Sequence, residues 1–187
     1  MLTARARAGR AARILTTAAL LLAPIAACGS TDAEPKTFHE AGFAITFEYP
    51  DGFERSDDVT IAHSVGPTAK TVALAMSDDN LIAVQRYALN HPVAARDAAT
   101  VRAQLDKMLG QLTGRAIDGK RIHVDGLMAF RYEIDKLTTP TNGRSTLIAL
   151  FNGATEYVIN CQSVPDGRDE IQRACERAID TLTPTDS

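Results

Sequence analysis

The sequence predicts an α+β fold in which two amphipathic helices pack on an antiparallel sheet. Several short segments alternate apolar and polar residues with a period of two, which is typical of half-buried strands. Turn residues such as Asn152-Gly153 separate them by hairpin-length connections, which favour antiparallel neighbours. Two longer segments carry apolar residues at helical spacing, and these stripes must be buried on the sheet. The helices do not alternate singly with strands, which disfavours a doubly wound parallel fold.

Four strands are expected before the first helix. Phe43 to Tyr49 alternates cleanly between aromatic or aliphatic residues and polar or small ones, and Pro50-Asp51-Gly52 ends it as a turn. The other three candidate strands are Val59 to Val65, Lys70 to Met76 and Leu81 to Leu89, with Asp78-Asp79-Asn80 as the turn between the last two.

The first helix is predicted from Asp97, a candidate N-cap, to about Thr113, with Gly114 as its stop. Its apolar stripe consists of Val101, Leu105, Met108, Leu109 and Leu112. Methionine and leucine at this spacing are more often core than a cofactor site.

Four strands are expected after this helix: Lys120 to Val124, Leu127 to Leu137, Ser145 to Phe151 and Thr155 to Gln162. The second should turn Met128, Phe130, Tyr132 and Ile134 inward and Arg131, Glu133 and Asp135 outward. The third is apolar on both faces, so it should be central and covered on both sides.

The last helix is predicted from about Arg168 to Leu182, with Asp166 as a candidate N-cap. Its buried stripe should consist of Ile171, Cys175, Ala178, Ile179 and Leu182.

The N-terminus has the composition of a secretory signal. Four arginines and no acidic residue precede the apolar run from Ile14 to Ala27, which contains Pro24. This run is shorter than the roughly 20 residues that a membrane-spanning helix needs. Its end, Ile25-Ala26-Ala27-Cys28, resembles the lipobox of bacterial lipoproteins. The resemblance implies cleavage before Cys28 after a diacylglyceryl group joins its thiol; an ordinary signal peptide, cut without acylation, is the alternative.

The predicted organisation is therefore a signal peptide at 1–27, a lipidated N-terminus and polar tether at 28–37, and one domain at 38–184. Without the signal, 16 basic residues face 23 acidic ones, a net charge of −7. Such an acidic domain is a poor candidate for binding nucleic acid or anionic lipid headgroups. Attachment to the outer face of the cell membrane would then depend on acyl chains at Cys28.

Beyond the N-terminus, the opening Gly42-Phe43-Ala44-Ile45 stretch, the mid-chain helix and the closing strand–Cys161–helix–Cys175 unit resemble the PsbP/Mog1-like fold. Together with the lipobox, the ending Tyr157-Val158-Ile159-Asn160-Cys161 is similar to that of LpqN/LpqT-type lipoproteins of actinobacteria. The resemblance implies an α/β/α sandwich with a central antiparallel sheet. It also implies a non-enzymatic accessory role in the cell envelope, without a family active site to carry over.

Motifs that would carry chemistry are weak. Gly114 to Arg121 resembles a P-loop, but a helix precedes it, a strand should follow it, and arginine replaces the Ser or Thr that binds magnesium. His39, His63, His91 and His123 lack metal-ligand spacing. The acidic pairs Asp57-Asp58 and Asp78-Asp79 lack the pattern of an EF-hand. We therefore predict no catalytic residue, metal or cofactor; a triad assembled in three dimensions from residues such as Ser64 and His123 is the alternative.

Cys161 and Cys175 are predicted to form a disulfide. Cys161 shares a strand face with Tyr157 and Ile159, Cys175 lies on the stripe of the last helix, and exported proteins normally oxidise such a pair. Two reduced, buried cysteines are the alternative. The bond would fix the last helix and leave the surface around Val101, Leu105, Met108, Leu109 and Leu112 freer to bind a ligand or partner.

Three functions remain open from the sequence. The first is protein binding at the envelope, the second is carrying or sensing an apolar ligand such as an envelope lipid, and the third is hydrolysis.

Overall fold

The computed structural model describes residues 34–56, 70–135 and 142–185. The helices are α1 (Ala98–Thr113) and α2 (Arg168–Asp180), and a 3₁₀ turn (Ala95–Asp97) precedes α1. The strands are β1 (Lys36–Phe38), β2 (Ile45–Tyr49), β3 (Glu54–Ser56), β4 (Lys70–Ser77), β5 (Asn80–Ala88), β6 (Lys120–Val124), β7 (Leu127–Asp135), β8 (Arg144–Asn152), β9 (Thr155–Ser163) and β10 (Thr183–Pro184).

A seven-stranded antiparallel sheet in the order β3-β4-β5-β9-β8-β7-β6 forms the centre of the fold. It joins two meanders, because β5 of the first half pairs with β9 of the second half. The predicted antiparallel sheet is confirmed. β9 occupies the middle, and β8 lies beside it with one face in each of the two cores.

β2 does not join this sheet. It pairs instead with β1 and β10 in a separate three-stranded layer that brings the two ends of the domain together. The backbone N–H of Ala44 donates a 2.9 Å hydrogen bond to the Tyr157 hydroxyl, which ties this layer to β9. β1 begins at Lys36, two residues before the predicted start of the domain.

α2 packs on one face of the central sheet, together with the small layer. Its buried residues, Ile171, Ala174, Cys175 and Ala178, contact a core built from β2, β4, β5, β8 and β9. Phe38 stacks on Phe47 at 4.6 Å within the same core. The aromatic side chains of the small layer are therefore part of the same core as α2.

α1 covers part of the opposite face. Leu105 and Leu109 are buried against the inward row of β7, namely Met128, Phe130, Tyr132 and Ile134, and against Ala149 and Phe151 of β8. The sheet thus has a helix on each face, as expected for an α/β/α sandwich, and the predicted fold class is confirmed.

Local corrections concern caps and turns. The N-cap of α2 is Gly167 rather than Asp166. Asp97 stands at the N-cap of α1, but its side chain forms no bond to that helix; it accepts a 2.9 Å hydrogen bond from the backbone N–H of Ala94 and closes the 3₁₀ turn. The β8–β9 turn consists of Gly153 and Ala154, one residue later than predicted.

The predicted strand Val59 to Val65 lies outside the described residues. Among the residues that are described, neither helix is long and apolar enough to cross a bilayer.

Candidate ligand-binding cleft beside the disulfide

A cleft of about 270 Å³ lies between the first half of α2 and the facing strands of the sheet. We call it the arginine cleft. It is lined by Arg131, Glu133, Asp135, Arg144, Thr146, Cys161, Ser163, Arg168, Ile171, Gln172 and Cys175. It forms because α2 packs on β9 and β5 and leaves the C-terminal end of β7 and the N-terminal end of β8 exposed.

The disulfide lies at the inner wall of the arginine cleft. Cys161 and Cys175 are bonded, with their Cα atoms 6.0 Å apart. Both residues are buried, and Ile171 stands one helical turn before Cys175 on the same wall. The bond fixes the distance between α2 and the sheet, and it therefore fixes the width of the cleft at this wall.

Arg131 links the floor of the cleft to α2. Its Nη1 and Nη2 atoms contact the two carboxylate oxygens of Glu176 at 2.9 and 2.7 Å, and its Nε donates to Glu133 at 2.8 Å. The hydrogen bond that Arg131 donates to Glu176, and after it the one to Glu133, raises the pKa of Arg131, while partial burial opposes this. Arg131 is therefore a permanent cation with both edges occupied by carboxylates.

The next charges along the floor are also paired. Glu133 accepts a 2.9 Å hydrogen bond from the Thr146 hydroxyl in addition to the bond from Arg131. Arg144 donates from Nε to Asp135 at 3.2 Å, and both side chains are about half exposed. The floor is thus a row of preassembled ion pairs running across β7 and β8.

Arg168 differs from the other two arginines of the cleft. Its Nη2 donates a long, 3.4 Å hydrogen bond to the carbonyl of Asn142. Its Nε is buried and has no hydrogen-bond partner in the part of the chain that the structure describes. Within the described residues, no carboxylate lies within ion-pair distance of Arg168, so its charge is the uncompensated one in the cleft.

Two of the site residues predicted from sequence, Cys161 and Cys175, are brought together in this cleft as the predicted disulfide. Cys28 lies outside the described residues. The five residues proposed as a ligand or partner surface on α1 are divided. Leu105 and Leu109 are core, Val101 and Met108 pack against it in part, and Leu112 remains 41% exposed. The prediction of a surface there stays untested.

Polar groups lie on the α1 face of the central strands. Gln85, Ser145 and Asn160 are each almost fully buried, and each has one side-chain atom without a hydrogen-bond partner among the described residues. They follow a diagonal across β5, β9 and β8. Buried groups of this kind are usually hydrated and accept polar rather than apolar neighbours. This face is therefore poorly suited to an apolar ligand held between helix and sheet.

The P-loop-like segment has the structural context that the sequence indicates. Gly114 ends α1 in the left-handed conformation, with φ 67°, and Lys120 starts β6, so no helix N-terminus follows the glycines. In the described part of the chain, no group of histidine, cysteine, aspartate or glutamate side chains has an arrangement that could hold a metal ion.

Sequence reasoning missed the arginine cleft. It placed Arg131, Glu133 and Asp135 on the outward face of their strand, and Glu133 and Asp135 are exposed there as predicted. The same face of the sheet carries α2, which pairs with Arg131 and leaves its side chain 23% exposed. The available signal was the row of charges at every second position of β7, beside a strand, β8, that is apolar on both faces. Arg131 pairs with Glu176, which lies 45 residues further along the chain, so the local pattern of β7 does not reveal this contact.

The chain matches no protein-family model and no curated protein sequence. Its structure is similar to the solution structure of cyanobacterial PsbP (CyanoP) from Synechocystis sp. PCC 6803, with a TM-score of 0.51 and 14% identity over 87% of this chain and 99% of that one. It is also similar to a crystal structure from Bacteroides thetaiotaomicron VPI-5482, with a TM-score of 0.52 and 11% identity, although the match spans 49% of that longer chain. At these identities the likeness concerns architecture, and the chain has a PsbP-like fold.

Proposed function

We propose that this protein is an exported lipoprotein of the LpqN/LpqT type, anchored through acyl chains on Cys28, that acts by binding envelope proteins and not by catalysis. The observation that carries the binding role is the arginine cleft. Its width is fixed by a disulfide, and most of its charges are already paired within the protein. Such a preorganised surface recognises a partner at little cost in ordering its own side chains.

The same arrangement argues against catalysis at this cleft. Its cations are arginines, which keep their protons and cannot serve as general bases. Its carboxylates Glu133 and Asp135 are engaged by arginines and a hydroxyl. The Thr146 hydroxyl lies next to the Glu133 carboxylate, but Arg131 already holds that carboxylate in an ion pair, so it is poorly placed to act as the general base of a hydrolase.

The carrier role for an apolar ligand remains the second proposal, because Leu112 exposes an apolar side chain on α1. The buried polar groups on the same face of the sheet, Gln85, Ser145 and Asn160, weigh against it. Lipids that co-purify with the protein would favour the carrier role, whereas crosslinked proteins would favour the binding role.

Two experiments test the proposal. The first compares the membrane and soluble fractions of cells producing the natural protein and Cys28→Ala. We expect the natural protein in the membrane fraction with an intact mass that includes acyl chains on Cys28, and the variant released or left as precursor. An unmodified Cys28 in membrane-bound protein would contradict the anchor.

The second experiment is crosslinking in intact cells followed by identification of the captured proteins. We expect a defined partner that is lost when the arginine cleft is altered. A broad screen of hydrolase substrates should give no turnover, and robust turnover abolished by one substitution would contradict the non-catalytic role.

A further inference from the structure

We propose that the arginine cleft binds a single carboxylate, an Asp or Glu side chain of the partner protein, through Arg168. This inference rests on the protein-binding function proposed above and names the chemical group that the partner presents. The three arginines of the cleft differ in their partners: Arg131 and Arg144 pair with carboxylates, whereas Arg168 does not.

The charge balance defines the ligand's charge. Three arginines and two carboxylates line the cleft, which leaves a surplus of one positive charge. Just outside it, Glu176 pairs with Arg131 and Arg115 approaches Asp135 at 3.9 Å, and these two further charges cancel. One monoanion would neutralise the cleft. A dianion such as a phosphate monoester would add repulsion from Glu133 and Asp135.

The hydrogen-bond inventory locates that charge at Arg168. Arg131 is engaged by Glu176 and Glu133, and Arg144 by Asp135. Arg168 retains a buried Nε–H without an acceptor and holds one distant carbonyl through Nη2. A buried, charged donor is unfavourable until an acceptor reaches it, and a carboxylate satisfies a guanidinium edge with two parallel hydrogen bonds.

The size and walls of the cleft favour a side chain over a free cofactor. Its volume of about 270 Å³ lies just below the range of roughly 300–1,000 Å³ for small-molecule pockets. Ile171 and the Cys161–Cys175 bond supply an apolar wall for the methylene groups of the ligand. Gln172 and Ser163 line the remaining surface and offer hydrogen bonds to the partner's backbone.

The test is an NMR titration of the full chain at low ionic strength with two blocked pentapeptides, acetyl-Ala-Ala-Glu-Ala-Ala-amide and its Gln counterpart. We expect the Glu peptide to bind about tenfold or more tightly than the Gln peptide, as a charge-assisted bidentate pair should. Arg168→Gln should abolish the difference between the peptides, and Arg168→Lys should keep part of it.

The matched control is Arg173→Gln, which removes the same charge from the exposed side of α2, away from the arginine cleft. It should leave the preference for the Glu peptide unchanged. Equal affinity for the two peptides, or an equal loss in Arg168→Gln and Arg173→Gln, would overturn the proposal. So would tighter binding of inorganic phosphate than of the Glu peptide. Preserved circular dichroism of Arg168→Lys and Arg168→Gln separates lost binding from lost folding.

Failure of this inference is distinguishable from failure of the proposed function. If the natural protein and Arg168→Gln crosslink the same partner in cells equally well, the function stands and the role of Arg168 is wrong. If the Glu peptide binds through Arg168 but no protein is crosslinked, the carboxylate site stands and protein binding at the envelope is wrong.

Discussion

The side chain of Asn80 occupies the space beside Gly167 in which a Cβ atom would stand. Asn80 is buried at the start of β5 and accepts a 3.0 Å hydrogen bond from the backbone N–H of Val164, while its own amide group donates to Ser77 at 3.1 Å. It therefore ties the β4–β5 turn to the loop that leads into α2. The next residue after Gly167 is Arg168, which lines the arginine cleft. The contact between Asn80 and Gly167 therefore helps to position Arg168.

Gly167→Ala should destabilise the domain by roughly 1–3 kcal/mol, since the added methyl group must displace Asn80 from its hydrogen bonds. Urea unfolding measures the change. The matched background is Asn80→Ala, which itself loses the bond to Val164 but makes room for the methyl group. In that background Gly167→Ala should cost clearly less, and an equal cost in both backgrounds would show that the contact is not responsible.

Reduction of the Cys161–Cys175 bond should destabilise the protein by about 3 kcal/mol, as expected for a sequence separation of 14 residues. The measurement is the urea midpoint with and without a thiol reductant, and the double variant Cys161→Ala/Cys175→Ala should not respond to the reductant. Thiol labelling of the denatured, non-reduced protein should find neither cysteine free. Two labelled thiols would refute the bond.

The disulfide could be predicted from sequence because each half of it is a local pattern. Period-two alternation places Cys161 on a definite face of β9, and helical spacing places Cys175 on the buried stripe of α2. The exit of β2 from the main sheet could not be predicted in this way. Its partners β1 and β10 lie at opposite ends of the domain, and a short strand of alternating residues looks the same in either sheet.

The arginine cleft was missed for a related reason. Alternation shows which residues of β7 share a face, but it does not show what covers that face. Alternation predicts the solvent side for Arg131, whereas the side chain lies on the face that carries α2 and donates a hydrogen bond to Glu176. Helical spacing predicts the apolar stripe of α1. Its use as core at Leu105 and Leu109 follows from the position of the helix on the sheet.

Arg131→Gln should destabilise the domain by about 1 kcal/mol, because it removes a bidentate ion pair that joins β7 to α2. The Arg131 side chain is 23% exposed and that of Glu176 is 42% exposed, so solvent screens the pair in part. The control is Arg144→Gln, whose pair with Asp135 is 47% and 55% exposed and should contribute less. The urea midpoints of the two variants are compared with that of the natural protein. An equal loss of stability in both variants would contradict a special role for the link to α2.

Glu156 should make stability depend on pH in the direction opposite to that of a salt-bridged carboxylate. It lies in register between Phe151 and Tyr87, and burial raises the pKa of its carboxyl group. Between the ordinary glutamate pKa and this raised value, the folded protein binds more protons than the unfolded chain. The contribution of Glu156 to stability therefore falls as pH rises through this window, and the ionised group is unfavourable above it.

Glu156→Gln removes the ionisation and should stabilise the protein at pH 7, with a smaller gain at pH 4, where the natural side chain is already mostly protonated. Urea midpoints of both proteins at the two pH values test this. Glu170→Gln is the control, because Glu170 is exposed in the first turn of α2, where the helix dipole favours its charge, so its removal should give no gain at pH 7. If Glu156→Gln were less stable than the natural protein at pH 7, burial would not be the dominant influence on this carboxyl group, and an unrecognised partner for its charge would have to be sought.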